Sequence, residues 1–175
     1  QPDTGEGKKK VSFLWNNREL KAFNPFGPNT LARQQLPERS FLLNGEKIII
    51  QPYILPQRSK SRSKKEYDEF GGEEGYFNNQ GFYVYRNKRL IVSATWFNLT
   101  RKDPLLKLVR IKIDISNKQD HLWKLDVRKS QASPPKEVRD QLKIMIGRVT
   151  EKGKKVFTRG VTLGSGTNIP VWERQ

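Results

Sequence analysis

Cysteine is absent from the 175-residue sequence, and histidine occurs once, as His121. Without cysteine the chain has no disulfide framework, no thiolate ligand and no thiol nucleophile. A lone histidine also disfavours a zinc site, so we expect no metal. No apolar run approaches the roughly 20 residues that a membrane-spanning helix needs, and residues 1–3 show neither an initiator Met nor a signal-peptide pattern. We therefore expect a cytoplasmic protein without a membrane partner, beginning at a fragment boundary.

The sequence has few acidic residues to balance its basic ones. It contains 34 Lys and Arg against 18 Asp and Glu, which gives a formal net charge of +16 and a pI near 10.2. Such an excess attracts polyanions, and nucleic acid is one candidate partner. The apolar fraction is only 34%, but 4 Trp, 5 Tyr and 9 Phe are too many for a disordered chain. We expect one folded domain.

The basic side chains concentrate in two predicted loops. The first is residues 57–80, where a basic run is followed by five acidic residues. It is either a mobile basic finger that contacts phosphates or a solvated loop whose opposite charges neutralise each other. The second loop is residues 101–104. The nucleic-acid-binding candidates in these loops are Arg58, Lys60, Arg62, Lys64, Lys65, Arg101 and Lys102.

Short apolar and aromatic runs predict the first strands of a sheet. Residues 11–15 and 20–23 flank a turn at Asn16-Asn17. Residues 48–55 form another strand, in which Pro52 indicates an edge position or a bulge. Residues 81–92 form a hairpin that turns at Asn87-Lys88, and its aromatic residues favour the core over base stacking.

The remaining strands are predicted by alternation of apolar and polar residues. In residues 108–115 the apolar positions are every second residue, so one face is buried and the face with Arg110, Lys112 and Asp114 is wet. Residues 123–127 alternate in the same way and predict a partner strand, with a turn containing His121 between the two.

The last part of the chain predicts a helix. Ser133 can cap it, and two prolines are tolerated in its first turn. Apolar residues recur at helical spacing from Val138 to Val149, and Gly153 weakens the helix after Lys152. The order of elements predicts an α+β fold: a mostly antiparallel sheet with helix packed on one face. The domain limits are then a flexible segment at 1–10, one domain at 11–152 and an irregular tail at 153–175.

Enzyme machinery is incomplete in this sequence. Asp114, Asp120 and Asp126 are evenly spaced, but predicted solvent faces favour ion pairs with Lys or Arg over a metal cluster. Lys129 follows a predicted strand, where an ammonium group could be aimed at a phosphate held by another domain. The residues alone leave this role open against that of an ordinary exposed lysine.

Three stretches in one order resemble a single family. Residues 80–91 resemble the hairpin that follows the nucleotide domain in bacterial GHKL-type ATPases and, more distantly, in MORC proteins. Residues 109–115 resemble their central strand, and residues 123–135 resemble the segment that leads into the next helix. With residues 50–56, the resemblance covers about residues 11–150.

This resemblance implies a transducer domain with a ribosomal-protein-S-five domain-2-like fold. That fold includes a left-handed β-α-β crossover, against the usual right-handed rule. In relatives such as MutL and gyrase B, a lysine of this domain touches the γ-phosphate of ATP bound by the neighbouring domain. The matching position is Lys129, and the alternates for phosphate binding are Arg128 and Ser130.

The sequence lacks the E-x-x-x-N helix and the G-x-G lid of the ATPase domain. The resemblance therefore implies that ATP and Mg²⁺ are bound mainly by a preceding domain and that this chain alone is inactive. The longer protein would be a homodimeric ATPase that relays ATP binding to a partner, with DNA as one candidate. One alternative is a stand-alone basic nucleic-acid-binding module, which predicts salt-sensitive binding by this chain. Another is an interaction domain that kept the fold but lost ATP coupling.

Overall fold

The structure is a computed structural model that describes most of the chain between residues 13 and 164. The described residues are 13–16, 18–20, 23–27, 33–61, 63–124, 126 and 131–164. The strands are β1 (Phe13–Trp15), β2 (Arg18–Leu20), β3 (Gln34–Gln35), β4 (Arg39–Leu43), β5 (Glu46–Ile54), β6 (Gly81–Arg86), β7 (Arg89–Thr95) and β8 (Val109–Ile115). The α-helices are α1 (Lys64–Gly71), α2 (Gly75–Asn78), α3 (Asp120–Trp123) and α4 (Lys136–Gly164).

Two sheets are present among the described residues. β1 and β2 form an antiparallel pair around the predicted turn, but β2 is Arg18–Leu20 and begins before the predicted strand at residues 20–23. The larger sheet has six strands: β8 lies between β5 and β6, β7 is one edge, and β3 and β4 both pair with the far side of β5. Only the β6–β8 pair is parallel in the described part, and it is connected through β7. The predicted α+β class with a mostly antiparallel sheet is confirmed, whereas the left-handed β-α-β crossover stays a prediction.

The main core lies between this sheet and α4. Val109, Ile111 and Ile113 of β8 are completely buried, and so are Val138 and Leu142 of α4. These residues join one cluster with the apolar residues of β5, β6 and β7. The period-two pattern of β8 and the helical spacing of α4 therefore predicted the two faces that meet. None of the helices described has the length and apolar character needed to cross a bilayer.

The β6–β7 hairpin turns where the sequence predicts. Asn87 and Lys88 both have positive φ angles, of 47° and 68°. Positive φ at both central positions is the geometry whose twist matches paired strands. Phe82 and Tyr83 of this hairpin are buried, in agreement with a core role for its aromatic residues.

Pro52 lies inside β5, which is a central strand and not the edge strand that its proline indicates. β4 pairs with the first part of β5, and β3 pairs only with Tyr53 and Ile54. Pro52 therefore lies opposite the break between β4 and β3, where a strand ladder does not require its missing N–H.

Residues 57–80 contain helices in place of the predicted loop. Ser63 caps α1 by accepting a hydrogen bond from the N–H of Glu66 at 3.1 Å. Phe70 and Tyr76 bury their rings beside Leu55 and Leu108 in a second, smaller core cluster. The many charged residues in this segment predict a solvated loop, and the few apolar positions among them do not form a recognisable pattern.

The predicted strand at residues 123–127 is wrong at its start. Trp123 ends α3 and is fully buried in the main core, and His121 lies exposed in the same helix instead of in a turn. Ser116 and Gln119 form a capping box that starts the preceding 3₁₀ turn. Lys124 then takes a left-handed conformation, with φ of 46°, and stops the helix.

Helix α4 is longer than predicted. It begins at Lys136, directly after the two prolines, and continues through Gly153 to Gly164. Gly153 is buried, and a Cβ atom built on it would lie 3.1 Å from Val109 Cγ2. The glycine allows the helix to pack closely on β8 and does not end it. Residues 153–164 of the predicted irregular tail are thus helical.

Candidate functional sites

The segment that contains Lys129 is anchored at both ends. Asp126 and Gln131 exchange two backbone hydrogen bonds, of 2.9 and 3.0 Å. The N–H of Ser133 donates to the carbonyl of Trp123 at 2.8 Å, which ties the approach to α4 to the end of α3. Asp126 and Gln131, which flank the candidate phosphate-binding residues in the sequence, are therefore paired with each other.

The three predicted phosphate-binding residues, Arg128, Lys129 and Ser130, lie outside the described residues. Their roles stay predictions.

Most of the basic candidates at the start of the charged segment are solvent-exposed. Arg58, Lys60, Lys64 and Lys65 are exposed, and Arg62 lies outside the described residues. Lys64 and Lys65 line a groove with a volume of about 1230 Å³ between α1 and residues 23–27. The same groove carries five acidic side chains: Glu66, Asp68, Glu69, Glu73 and Glu74. Because acidic residues outnumber lysines there, the groove is not a cationic surface for nucleic acid.

Of the two basic candidates in the second predicted loop, Arg101 and Lys102, only Lys102 has a described hydrogen bond. Lys102 Nζ donates to the carbonyl oxygen of Asn78 at 2.7 Å, at the end of α2. Arg101 is exposed. Lys102 therefore joins the loop after β7 to the α1–α2 region.

Acidic side chains of the sheet and its connections form ion pairs, as predicted for Asp114. Asp114 lies 2.6 Å from Lys112 Nζ, and Asp120 lies 2.6 Å from Arg86 Nη1. Hydrogen bonds from Lys118 and Ser116 lower the pKa of the Glu46 carboxyl. No cluster of His, Asp and Glu suited to a metal ion occurs in the part of the chain that the structure describes.

Arg110 is the residue that the sequence pattern placed wrongly. It lies on the face of β8 predicted to be wet, yet its exposure is 0%. Its register partners on the neighbouring strands are Tyr53 of β5 and Gly81 of β6. The ring of Tyr76 covers it, with 5.9 Å from Arg110 Cζ to the ring centroid.

The hydrogen bonds of Arg110 are incomplete. Its Nη1 donates to the carbonyl oxygens of Lys107 and Val109, at 2.8 and 3.0 Å. Its Nε and Nη2 are buried without a hydrogen-bond partner. Desolvation lowers the pKa of Arg110 to about 10. Alternation alone could not predict that Arg110 is buried, because the residues that cover it lie in a segment whose charges predict a solvated loop.

Two tyrosines beside Arg110 share its low-polarity surroundings. The hydroxyl of Tyr76 donates to the carbonyl of Tyr67 at 2.7 Å, and that of Tyr83 donates to the carbonyl of Asn79 at 2.6 Å. Burial raises the pKa of Tyr83 to about 12 and raises that of Tyr76 further. Both hydroxyls are therefore neutral donors at ordinary pH and do not balance the charge of Arg110.

Comparison with known protein families, curated proteins and solved structures found no match.

Proposed function

We propose that this chain is the transducer domain of a GHKL-type ATP-binding protein, which senses ATP held by a preceding domain and relays its presence to a partner. The proposal rests on the order of the three stretches that resemble the family, and the packing of these stretches in one domain supports it. Residues 80–91 and 109–115 supply the adjacent strands β6 and β8, and residues 123–135 lead into α4, which packs on them.

The anchored segment offers a physical basis for ATP sensing. Asp126 and Gln131, which flank Lys129 in the sequence, pair through two backbone hydrogen bonds, and Ser133 is bonded to Trp123 of the main core. In the proposed mechanism, the ammonium group of Lys129 neutralises charge on the terminal phosphate. Mg²⁺ and the nucleotide are bound by the preceding domain, and the two domains change their relative position when ATP is present.

The test is substitution of Lys129 in the longer protein that includes the preceding domain. We expect Lys129→Met to lower the ATPase kcat by about 10²-fold, since removal of one preorganised donor typically costs that much. Lys136→Met, which removes an exposed lysine at the start of α4, is the matched control and should leave kcat unchanged. Circular dichroism checks that both variants fold.

Unchanged ATPase activity in a folded Lys129→Met variant would refute the role of Lys129. A longer protein that neither binds nor hydrolyses ATP would refute the transducer proposal itself and leave an interaction domain without ATP coupling.

A stand-alone nucleic-acid-binding module is the second candidate, favoured by the net charge of +16 and the exposure of Arg58, Lys60 and Lys64. The burial of Phe82 and Tyr83 weakens it, because these rings are not available for stacking on bases. The acidic side chains next to Lys64 and Lys65 weaken it further. We therefore rank the transducer role first.

A further inference from the structure

The unpartnered edge of Arg110 has the geometry of an anion-binding group. Nη1 is occupied by two backbone carbonyls, whereas Nε and Nη2 are both without partners. Nε and Nη2 lie along one edge of the planar guanidinium. An edge of this kind binds a carboxylate or a phosphate through two parallel hydrogen bonds.

A guanidinium that is buried with no counter-ion among the described residues needs a physical reason. Desolvation of an ionised group is costly unless the charge is paired and its hydrogen bonds are made. The hydroxyls of Tyr76 and Tyr83, which interact electrostatically with Arg110, donate to backbone carbonyls. Ring contact with Tyr76 offsets part of the cost but supplies no acceptor for Nε and Nη2.

The helices beside Arg110 pack in a different core cluster from α4. We name α1 and α2 (residues 64–78) the cover. Its buried rings, Phe70 and Tyr76, belong to the smaller core cluster and not to the one between the sheet and α4. Gly72, directly after α1, and Gly75, the first residue of α2, have positive φ angles of 69° and 74°. Units with few buried apolar contacts open at lower free energy than the whole domain.

We propose that Arg110 is the base of a binding site for a small oxyanion, a phosphate group or a carboxylate, which becomes accessible when the cover lifts from the sheet. The oxyanion accepts hydrogen bonds from Nε and Nη2 and supplies the missing counter-charge. This site is independent of the proposed ATP-sensing role, because it uses neither Lys129 nor the preceding domain.

The direct test observes the side-chain Nε–H resonances of arginine in the ¹⁵N-labelled 175-residue chain. Sodium phosphate and sodium acetate are titrated separately, with sodium chloride at equal ionic strength as the reference. Arg110→Lys assigns the Arg110 resonance. We expect that resonance to shift and saturate, while the resonance of the exposed Arg148, assigned with Arg148→Lys, moves no more than in chloride.

The two anions distinguish the source of the ligand. A saturating shift in phosphate alone identifies a phosphoryl ligand, one in acetate alone identifies a carboxylate, and one in both supports either source. No saturating shift of the Arg110 resonance in either anion overturns the proposal.

Thermal unfolding provides a second measurement. A ligand that binds only the folded state raises the Tm, by an amount that grows with the logarithm of its concentration above the Kd. We expect the effective anion to raise the Tm of the wild-type chain by several degrees at saturating concentration, and Arg110→Met to lose that response. An equal rise in both would overturn the proposal, because salts such as phosphate also strengthen apolar burial without a site.

Hydrogen exchange tests the cover. Amides of α1 should exchange at least about tenfold faster than those of β8, and the effective anion should alter exchange in residues 64–78. If α1 and β8 exchange at the same rate, the cover opens only with the whole domain and the opening step is wrong.

Discussion

The face of the sheet that packs on α4 is lined by apolar side chains, whereas the opposite face buries Arg110 among tyrosine rings. Both faces are covered, but by different means. The first meets one long helix whose apolar stripe matches it, and the second meets two short helices, of which α1 carries many charged residues. Alternation therefore shows which residues share a face of a strand, but it does not show whether that face is exposed to solvent.

The largest expected effect concerns the face under α4. Phe82→Ala should lower the free energy of unfolding by about 3–5 kcal/mol, because the ring is completely buried and its removal leaves a cavity. Urea unfolding measures the change. Leu90→Ala, in the same hairpin but 42% exposed, is the control and should cost less than about 1 kcal/mol. Equal losses would mean that the hairpin does not belong to the cooperative core.

The opposite face should respond in the opposite direction. Arg110→Met should raise the free energy of unfolding by about 1–4 kcal/mol in anion-free buffer, because an apolar side chain of similar length removes an unpaired buried charge. Arg148→Met, at an exposed position of α4, should change it by less than about 0.5 kcal/mol.

A loss of stability in Arg110→Met would contradict this expectation. It would show that the hydrogen bonds to the carbonyls of Lys107 and Val109, together with the contact with Tyr76, outweigh desolvation of the guanidinium.

The main face could be predicted from sequence because its signals are periodic. The alternation in β8, the spacing of Val138 and Leu142 in α4 and the turn residues Asn87-Lys88 each carry local information that survives in the fold. Their consistency also explains why the α+β class was predictable.

The second face could not be predicted because its determinants are not local. The burial of Arg110 depends on Tyr76, which lies 34 positions earlier in a segment whose charges indicate a solvated loop. The extension of α4 beyond Gly153 depends on its close approach to Val109. In both cases tertiary packing overrides a local preference.

The smallest expected effect is a change in how stability depends on pH in the alkaline range, where Tyr83 and Arg110 of the second face act with opposite signs. Burial raises the pKa of Tyr83 from 10 to about 12 in the folded chain. Between pH 10 and 12 the unfolded chain releases this proton first, so stability falls as the pH rises. Tyr83→Phe should flatten that fall, at a cost of about 1 kcal/mol at neutral pH for the lost hydrogen bond to the Asn79 carbonyl.

Arg110 acts with the opposite sign over the same range. Its pKa is lowered to about 10 by desolvation, so above pH 10 the folded chain releases this proton before the unfolded chain and gains stability. Arg110→Met should therefore steepen the alkaline loss while Tyr83→Phe reduces it. Urea unfolding at pH 9, 10 and 11 measures the slopes, with Leu90→Ala, which changes no titratable group, as the reference. Equal slopes in all three variants would show that neither buried group titrates differently in the folded and unfolded chains.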